Sequence, residues 1–261
     1  MNRIRSYIKH NKKQKFLIPF ITAGFPDTKT TVELIKAAVD SGCDMIEIGF
    51  PFSDPLADGT EVQFSSYHAL KKGMTLHKTL KIVEQVRKTS DIPLILMGYY
   101  NPVLSYGEKQ FMKDATAAGV DGLIIPDLPV SEASDFKRYA AKHNISTIFL
   151  VAPTTDKNSL KQIENSCTDF VYAVTVTGVT GVGKVFGRDT DNYLKGLRKS
   201  LSKKFVAGFG VSSPETARRF CKYSDGVVIG SKLISLIRNA SSKSRGVKDA
   251  ARFLSSVRRA I

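Results

Sequence analysis

Short apolar runs recur along this chain, and segments with the spacing of amphipathic helices separate most of them. The runs are Phe16–Thr22, Met45–Ile48, Leu94–Gly98, Gly122–Ile125, Thr147–Val151, Phe170–Val176, Phe205–Ala207 and Val227–Ile229. Near-continuous apolar runs of this kind are typical of parallel strands that are buried on both faces. Eight strand-helix alternations therefore predict an α/β fold, a (β/α)8 TIM barrel, with an open doubly wound sheet as the alternative.

The ends of the predicted elements carry recognisable signals. Asp27 and Ser213 are predicted helix N-caps, and Pro214 follows the second at the first helical position. We also expect an extra helix before the first strand and a basic amphipathic helix at the end of the sequence. Three segments share one shape, in which a helix ends, a turn follows and a buried strand begins; they are 41–46, 118–123 and 223–228.

Size and composition suit a single barrel domain over residues 1–261, because 42% of the 261 residues are hydrophobic. No apolar run approaches the roughly 18 residues of a membrane span. The basic segment 1–15 and the apolar segment 16–25 have a superficial likeness to a signal peptide. Pro19 interrupts the apolar run and no convincing cleavage site follows, so we expect a cytoplasmic protein that binds no membrane.

The formal net charge is +15, which fits nucleic acid, anionic lipid, an acidic partner or an anionic small substrate. The charge is densest in 232–259, where a solvated helical face is the simplest interpretation. No nucleic-acid motif accompanies it, so we expect no nucleic-acid partner. Cys43, Cys167 and Cys221 are odd in number and far apart, which predicts small buried side chains rather than disulfides or a zinc site.

The segment 46–59 places one carboxylate, Glu47, inside an apolar strand and two more, Asp54 and Asp58, on the loop that follows. An unpaired Glu is costly to bury in such a strand. Acid-base chemistry at the strand end would account for it, and so would a structural ion pair. The sequence alone leaves these two interpretations open at this point.

Glycine clusters follow the last three predicted strands, at 178–183, 208–212 and 230–231. Glycine lets backbone N–H groups approach an anion closely, and barrels often bind phosphate after strands 7 and 8, beside a short extra helix. The segment 231–237 is predicted to be that helix. Tight turns without a ligand are the plainer alternative, and the order of the clusters favours phosphate binding.

One of these clusters also matches the start of a nucleotide P-loop, because Gly178 to Lys184 fits G-x-x-x-x-G-K. The next residue is Val185, where a Ser or Thr hydroxyl should reach Mg²⁺. The residues that follow do not open a helix, so a P-loop is disfavoured.

Carboxylates together with a phosphate site favour an enzyme that acts on a phosphorylated polyol. Carbon–carbon cleavage in such a substrate needs an electron sink, and no predicted strand end carries a Lys for a Schiff base. The four His residues do not supply a metal cluster either. If the protein is a lyase, the substrate itself must accept the electrons, and an indole ring protonated at C3 can do so.

The residues from Glu47 to Gly59, EIGFPFSDPLADG, resemble the signature of the tryptophan synthase α chain family. Further segments agree in order and spacing along nearly the whole chain: 19–24, Asn101-Pro102, 126–129, 178–181 and 208–212. The resemblance implies a (β/α)8 barrel that cleaves indole-3-glycerol phosphate to indole and glyceraldehyde 3-phosphate.

The resemblance also implies roles for individual residues. Glu47 would be the main acid and base, Asp58 would accept a hydrogen bond from the indole N–H, and Tyr172 would orient Glu47 or the glycerol moiety. Asp54 and Thr180 would meet when their loops close over the substrate. Further implied contacts are Phe20 and Met97 at the indole, for which plain barrel core is nearly as good an interpretation, and the backbone N–H groups of Gly181, Phe209, Gly210, Gly230 and Ser231 at the phosphate.

The family's usual partner is a β chain that carries pyridoxal phosphate, in an α2β2 heterotetramer, and no cofactor is expected in this chain. Two departures from the family pattern are Thr60-Glu61, which replaces Pro and an uncharged residue, and the loop 182–187. Both could alter loop closure or coupling to the partner. A free-standing indole-producing lyase and a catalytically silent regulatory subunit remain as alternatives.

Overall fold

The computed structural model describes residues 2–11, 14–175, 188–208 and 210–261, with the backbone alone at 188. The strands of these ranges are β1 (Phe16–Thr22), β2 (Ile46–Gly49), β3 (Leu94–Met97), β4 (Gly122–Ile124), β5 (Ser146–Ile148), β6 (Leu150–Val151), β7 (Phe170–Val174), β8 (Lys204–Gly208) and β9 (Gly226–Ile229). All of the strand pairs are parallel.

Helices occupy most of the connections between the strands. They are α1 (Arg3–His10), α2 (Thr28–Asp40), α3 (Thr60–Lys71), α4 (Leu76–Arg87), α5 (Tyr100–Tyr106), α6 (Glu108–Ala118), α7 (Ser134–Lys142), α8 (Lys157–Ser166), α9 (Arg188–Ser200), α10 (Pro214–Cys221), α11 (Ser231–Arg238) and α12 (Lys243–Arg258). Asp27 caps α2 by accepting a 2.8 Å hydrogen bond from Thr30 N, and Ser213 caps α10 through Thr216 N, as predicted.

The strands form one sheet in the order β5-β4-β3-β2-β1-β9-β8-β7-β6. The two strands at its ends are consecutive in the chain, because only Phe149 separates β5 from β6. Phe149 O accepts a hydrogen bond from Tyr172 N at 3.1 Å, and Thr147 O accepts one from Thr168 N at 2.8 Å. These bonds bring the ends of the sheet together, so the fold is a TIM barrel and the open-sheet alternative is wrong.

The fifth predicted strand needs one correction. The run Thr147–Val151 was predicted as a single strand, and the structure divides it into β5 and β6. The division has a physical reason, because β5 pairs with β4 whereas β6 pairs with β7. The backbone changes neighbours at Phe149, which is where the barrel closes.

The three sequence segments of shared shape have a common structural purpose. Each carries an Asp just before its strand, and that carboxylate accepts a backbone N–H from an adjacent strand. Asp44 Oδ2 accepts from Leu17 N at 2.6 Å, Asp121 Oδ2 from Leu94 N at 2.9 Å, and Asp225 Oδ2 from Phe205 N at 3.0 Å. The contacts fasten neighbouring strands together at their amino ends, the face of a barrel that serves stability.

The extra helices lie where the sequence predicted them. The N-terminal helix α1 buries Ile4 completely, and the α11 helix follows β9 directly. The amphipathic helix α12 buries Ala250, Leu254 and Val257. All three cysteines are buried and free, in agreement with the prediction for them. Within the described ranges, none of the helices combines the length and the apolar character of a membrane span.

Candidate active site

A cavity of about 280 Å³ lies at the carboxyl ends of the strands, the face on which TIM barrels carry their active sites. It is lined by Phe20, Glu47, Asp58, Val62, Met97, Tyr172, Gly210, Val211, Ser212, Val228, Gly230, Ser231 and Lys232. The described residues that the sequence assigned to catalysis, to the indole wall and to the phosphate therefore share one cavity. Asp54 is not among the lining residues.

Glu47 lies in β2 beside Phe20 of β1 and Ile95 of β3, and only 1% of it is exposed. Neither of its carboxylate oxygens has a hydrogen-bond partner among the described residues. Burial raises the pKa of Glu47 to about 8, and the negative charge of Asp58 acts in the same direction. The structural ion pair that the sequence left open is absent from the described part of the chain, so the carboxyl group is available to a ligand.

Asp58 lies near the end of the loop between β2 and α3. Its side chain accepts a hydrogen bond from Tyr99, which lies in the loop after β3. Burial raises the pKa of Asp58 to about 6, while a hydrogen bond from the Tyr99 hydroxyl acts in the opposite direction. The same hydroxyl accepts a 2.8 Å bond from Ala57 N, and the Tyr99 ring stacks on Phe52 with centroids 5.2 Å apart. Tyr99 thus holds the Asp58 carboxylate and the part of the loop that precedes it.

Tyr172 lies in β7, almost fully buried, on the wall of the cavity. Burial raises its pKa well above the usual range, and the charges of Glu47 and Asp58 act in the same direction. Its ring packs against Gly208 of β8, where an added Cβ would overlap the ring and the hydroxyl group. The absence of a side chain at Gly208 is therefore what leaves room for Tyr172.

The apolar wall of the cavity comes from Phe20 and Met97, which are 8% and 5% exposed. The Phe20 ring packs against Gly49, at the end of β2, and against Gly230 after β9. Since β1 lies between β2 and β9, Phe20 stands between the strand that carries Glu47 and the glycine turn that follows β9. The cavity consequently has an acidic end and an end lined by glycine and serine.

The glycine-rich end is formed by the turns after β8 and β9. Gly210 has a φ of +77°, a conformation that an L side chain rarely adopts. Gly230 is the N-cap of α11, and Ser231 is its first residue. The first N–H groups of a helix have no partner within it, and they favour anions. This end can therefore receive a phosphate group.

Three of the assigned residues, Thr180, Gly181 and Phe209, lie outside the described residues, as do the P-loop match and the unusual loop 182–187. Asp54 lies on the exposed part of the loop before Asp58, where its carboxylate accepts a bond from Ser53 Oγ. The expected contact between Asp54 and Thr180 stays a prediction.

Sequence reasoning missed several residues of the site. Tyr99 directly follows the third apolar run, so its position at a strand end was a usable signal. Lys232 was visible as the second residue of the predicted phosphate helix, and no role was assigned to it. Val62, Val211, Ser212 and Val228 carried no signal that separates them from ordinary core or turn residues.

The departure at Glu61 has a definite structural consequence. Its Oε1 pairs with Arg238 Nη1 at 3.2 Å, and the Arg238 guanidinium lies 3.9 Å from the centre of the Phe64 ring. The pair joins the first turn of α3, which follows Asp58, to the last turn of α11.

In the described ranges, no group of His, Cys, Asp and Glu side chains could hold a metal ion.

Comparisons with known proteins agree on one family. A family model described as tryptophan synthase alpha chain matches residues 7–261. The tryptophan synthase alpha chain of Geobacter sulfurreducens is 42% identical over 254 residues, which cover 97% of this chain and 96% of that protein. The crystal structure of the tryptophan synthase alpha chain from Legionella pneumophila has a TM-score of 0.91 at 34% identity, and the match covers 100% of this chain and 97% of that one.

A further neighbour comes from a complex. A chain in a structure of the tryptophan synthase α2β2 complex from Pyrococcus furiosus has a TM-score of 0.85 at 35% identity. The match covers 94% of this chain and 98% of that chain.

Proposed function

This chain belongs to the tryptophan synthase alpha chain family, and we propose that Glu47, Asp58 and Tyr172 carry out its reaction. The resemblance inferred from residues 47–59 is confirmed. The protein is a lyase, the α subunit that cleaves indole-3-glycerol phosphate to indole and glyceraldehyde 3-phosphate in tryptophan biosynthesis. The observation that carries the proposed mechanism is the buried Glu47 carboxyl group, which lines the cavity with no described hydrogen-bond partner.

Glu47 acts first as an acid and then as a base. In its protonated form it donates a proton to indole C3, which converts the ring to an iminium ion. The resulting carboxylate removes the proton from the hydroxyl group of the adjacent glycerol carbon. As that hydroxyl becomes the aldehyde, the electron pair of the breaking carbon–carbon bond returns to the ring, and Glu47 ends the cycle protonated.

Asp58 supplies the negative charge that the iminium ion needs. Its carboxylate accepts a hydrogen bond from the indole N–H and stabilises the positive charge that develops on the ring. Tyr172, whose hydroxyl keeps its proton because its pKa is raised, orients Glu47 or the glycerol moiety. Phe20 and Met97 pack against the indole ring.

The glycine-rich end of the cavity holds the phosphate. Gly210, Gly230 and Ser231 contribute backbone N–H groups from two adjacent turns, and Gly181 and Phe209 complete the set. Closure of the loops that carry Asp54 and Thr180 then excludes water from the reaction. The positive φ of Gly210 supports this assignment, and so does the start of α11, which no described side chain caps.

The partner of this chain is a tryptophan synthase β chain. We propose that pyridoxal phosphate is carried by that β chain and that this chain itself holds no cofactor. We also propose that residues 1–261 act as one barrel domain and that the protein works in the cytoplasm.

The experiment that tests the mechanism measures indole release from indole-3-glycerol phosphate, with and without saturating β chain. Glu47→Gln should lower kcat by about 10²- to 10⁴-fold, because it removes the proton donor and acceptor. Binding of glycerol 3-phosphate should change little, since Glu47 and the glycine turns lie on opposite sides of Phe20. Glu33→Gln, on the exposed face of α2, is the matched control.

Three outcomes would contradict the proposal. A Glu47→Gln variant that turns over at the parental rate would remove Glu47 from the mechanism. A parental protein that releases no indole under any condition but activates the β chain would be a regulatory subunit. Equal activity with and without the partner would identify a free-standing lyase.

A further inference from the structure

Lys232 is a cationic residue that lines the glycine-rich end of the cavity. The other described residues that line this end are neutral. It is the second residue of α11, directly after Gly230 and Ser231, and its side chain is partly buried. The neighbouring lining residues Gly210 and Ser212 carry no charge. Lys232 is therefore the charged side chain that the described residues bring to the glycine-rich end.

The position of Lys232 is unfavourable for the stability of the helix. The N-terminus of a helix carries partial positive charge, so a cation in the first turn is repelled. The first turn of α11 contains no acidic residue that would offset this repulsion. Arg238, at the other end of the same helix, is paired with Glu61, whereas no described carboxylate forms an ion pair with Lys232.

The carboxylates of the cavity do not serve as its partner either. The pKa of Glu47 is raised by burial and by Asp58, and that of Asp58 is raised by burial and lowered by Tyr99, so no described cation is among the causes for either group. Phe20 is the strand neighbour of Glu47, and its ring packs against Gly230. A negatively charged ligand would therefore give the Lys232 ammonium group the ion-pair partner that the described residues do not supply.

We propose that Lys232 is a substrate-binding residue whose ammonium group forms an ion pair with the phosphate of the bound substrate. The inference rests on the proposed function, in which the glycine-rich end receives that phosphate. Backbone N–H groups fix the position of the anion, and Lys232 adds a full positive charge that favours the dianion over monoanionic or neutral groups. Lys232 does not touch the reacting atoms, so it acts on binding rather than on the chemical step.

The first test measures binding of glycerol 3-phosphate by calorimetry at low ionic strength. Lys232→Ala should weaken binding about tenfold, as expected when one charge-assisted contact worth about 1.4 kcal/mol is lost. Lys232→Arg should retain most of the affinity, because the charge stays. Lys248→Ala, which removes one charge from the exposed face of α12, should bind as the parent does.

A second readout separates ligand binding from a purely structural role. Without ligand, Lys232→Ala should unfold at a temperature about 1–3 °C higher than the parent, because the repelled cation is gone. With saturating glycerol 3-phosphate the order should reverse, since the parent gains more from the ligand. A variant that is less stable without ligand and binds glycerol 3-phosphate with parental affinity would overturn the proposal.

Kinetics with indole-3-glycerol phosphate and saturating β chain provide the third readout. Lys232→Ala should raise KM about tenfold and leave kcat within about twofold, and added salt should raise KM more steeply in the parent than in the variant. A parent that binds glycerol 3-phosphate through Lys232 but releases no indole would contradict the proposed function without contradicting this inference. An unchanged KM in Lys232→Ala, in a parent that does release indole, would reject this inference alone.

Discussion

At the scale of single residues, burial gives the two carboxyl groups of the cavity different protonation states. The pKa of Glu47 is raised to about 8, so near neutral pH the group holds its proton in the free cavity. The pKa of Asp58 is raised only to about 6, because the Tyr99 hydroxyl donates to its ionised form. One environment thus produces an acid that can protonate indole C3 and an anion that can stabilise the iminium ion.

The same burial makes the stability of the protein depend on the ionisation of Glu47. A carboxyl group with a raised pKa in the folded state binds more protons folded than unfolded, between its ordinary value near 4.5 and about 8. The free energy of unfolding therefore falls as pH rises through that window and levels off above it. Glu47→Gln has no such group, so it should gain stability relative to the parent by up to a few kcal/mol at about pH 9.

Thermal unfolding of both proteins across this pH range measures the effect. The difference in Tm between Glu47→Gln and the parent should grow steadily as pH rises from about 4.5 to about 8. The buried Gln amide alone would change Tm by the same amount at every pH. The quantity to compare is therefore the change of the Tm difference with pH. A difference in Tm that does not vary with pH, or that equals the difference found for Glu33→Gln, would mean that folding does not raise the pKa of Glu47.

At the scale of elements, glycines at strand ends determine how closely the aromatic side chains of the cavity can approach the backbone. Gly208 and Gly49 both stand where an added Cβ would overlap a ring, that of Tyr172 in one case and that of Phe20 in the other. These strand ends therefore have to remain free of side chains for the rings to keep their positions.

Gly208→Ala should move the Tyr172 ring and disturb the catalytic geometry. We expect kcat to fall about 10²-fold, since small displacements of positioned groups have effects of that size, and the free energy of unfolding to fall by about 1–3 kcal/mol. Gly196→Ala in α9 is a matched control, because an added Cβ there meets no atom within 4 Å. The control should keep full activity and gain up to about 1 kcal/mol of stability. Equal activity in both variants would contradict this account of the β7–β8 packing.

Some features of the strands and helices could be predicted from the sequence and others could not. Apolar runs and cap residues located the strands and several of the helices, because those signals are local. The division of the fifth strand at Phe149 depends on which strand lies on each side, and that information is not local. The same holds for Tyr99, whose contacts with Ala57 and Asp58 link two loops, and for Lys232, whose place in the cavity depends on the closure of the barrel.

The site itself was predicted unevenly for a related reason. Glu47 and Asp58 stand in a long specific motif, so a single segment was enough to identify them. Whether Glu47 was paired could not be decided from the sequence, since an ion-pair partner could have come from any strand. The structure leaves both of its oxygens without a described partner, and only a three-dimensional arrangement could supply that observation.

At the scale of the whole molecule, the two ends of the barrel have separate purposes. At the amino ends of the strands, Asp44, Asp121 and Asp225 tie adjacent strands together. At the carboxyl ends lie the cavity and the loops that form it. The hydrogen bonds of these aspartates lie at the end of the barrel opposite the cavity. Stability and activity should therefore respond independently to substitutions at the two ends.

Helix α1 offers the sharpest test of this separation. Ile4 is fully buried and packs against Gly122, the first residue of β4, while Asn2 donates to Asp121 O at 2.6 Å. Ile4→Ala should leave a cavity in this packing and lower the free energy of unfolding by about 2–4 kcal/mol, as measured by denaturant titration. Both kcat and KM for indole-3-glycerol phosphate should stay within about twofold of the parent, because the substrate lies at the other end of the strands.

Ile8→Ala, on the same helix but only partly buried, is the control and should lose about 1 kcal/mol or less. A large change in KM for Ile4→Ala at temperatures well below its Tm would contradict the separation, since it would mean that packing at the amino ends is transmitted through the strands to Glu47 and the glycine turns. A loss of stability no greater than that of Ile8→Ala would instead mean that α1 covers the barrel without being required to close it. The two measurements together therefore decide whether α1 stabilises the barrel without affecting catalysis at the carboxyl ends of the strands.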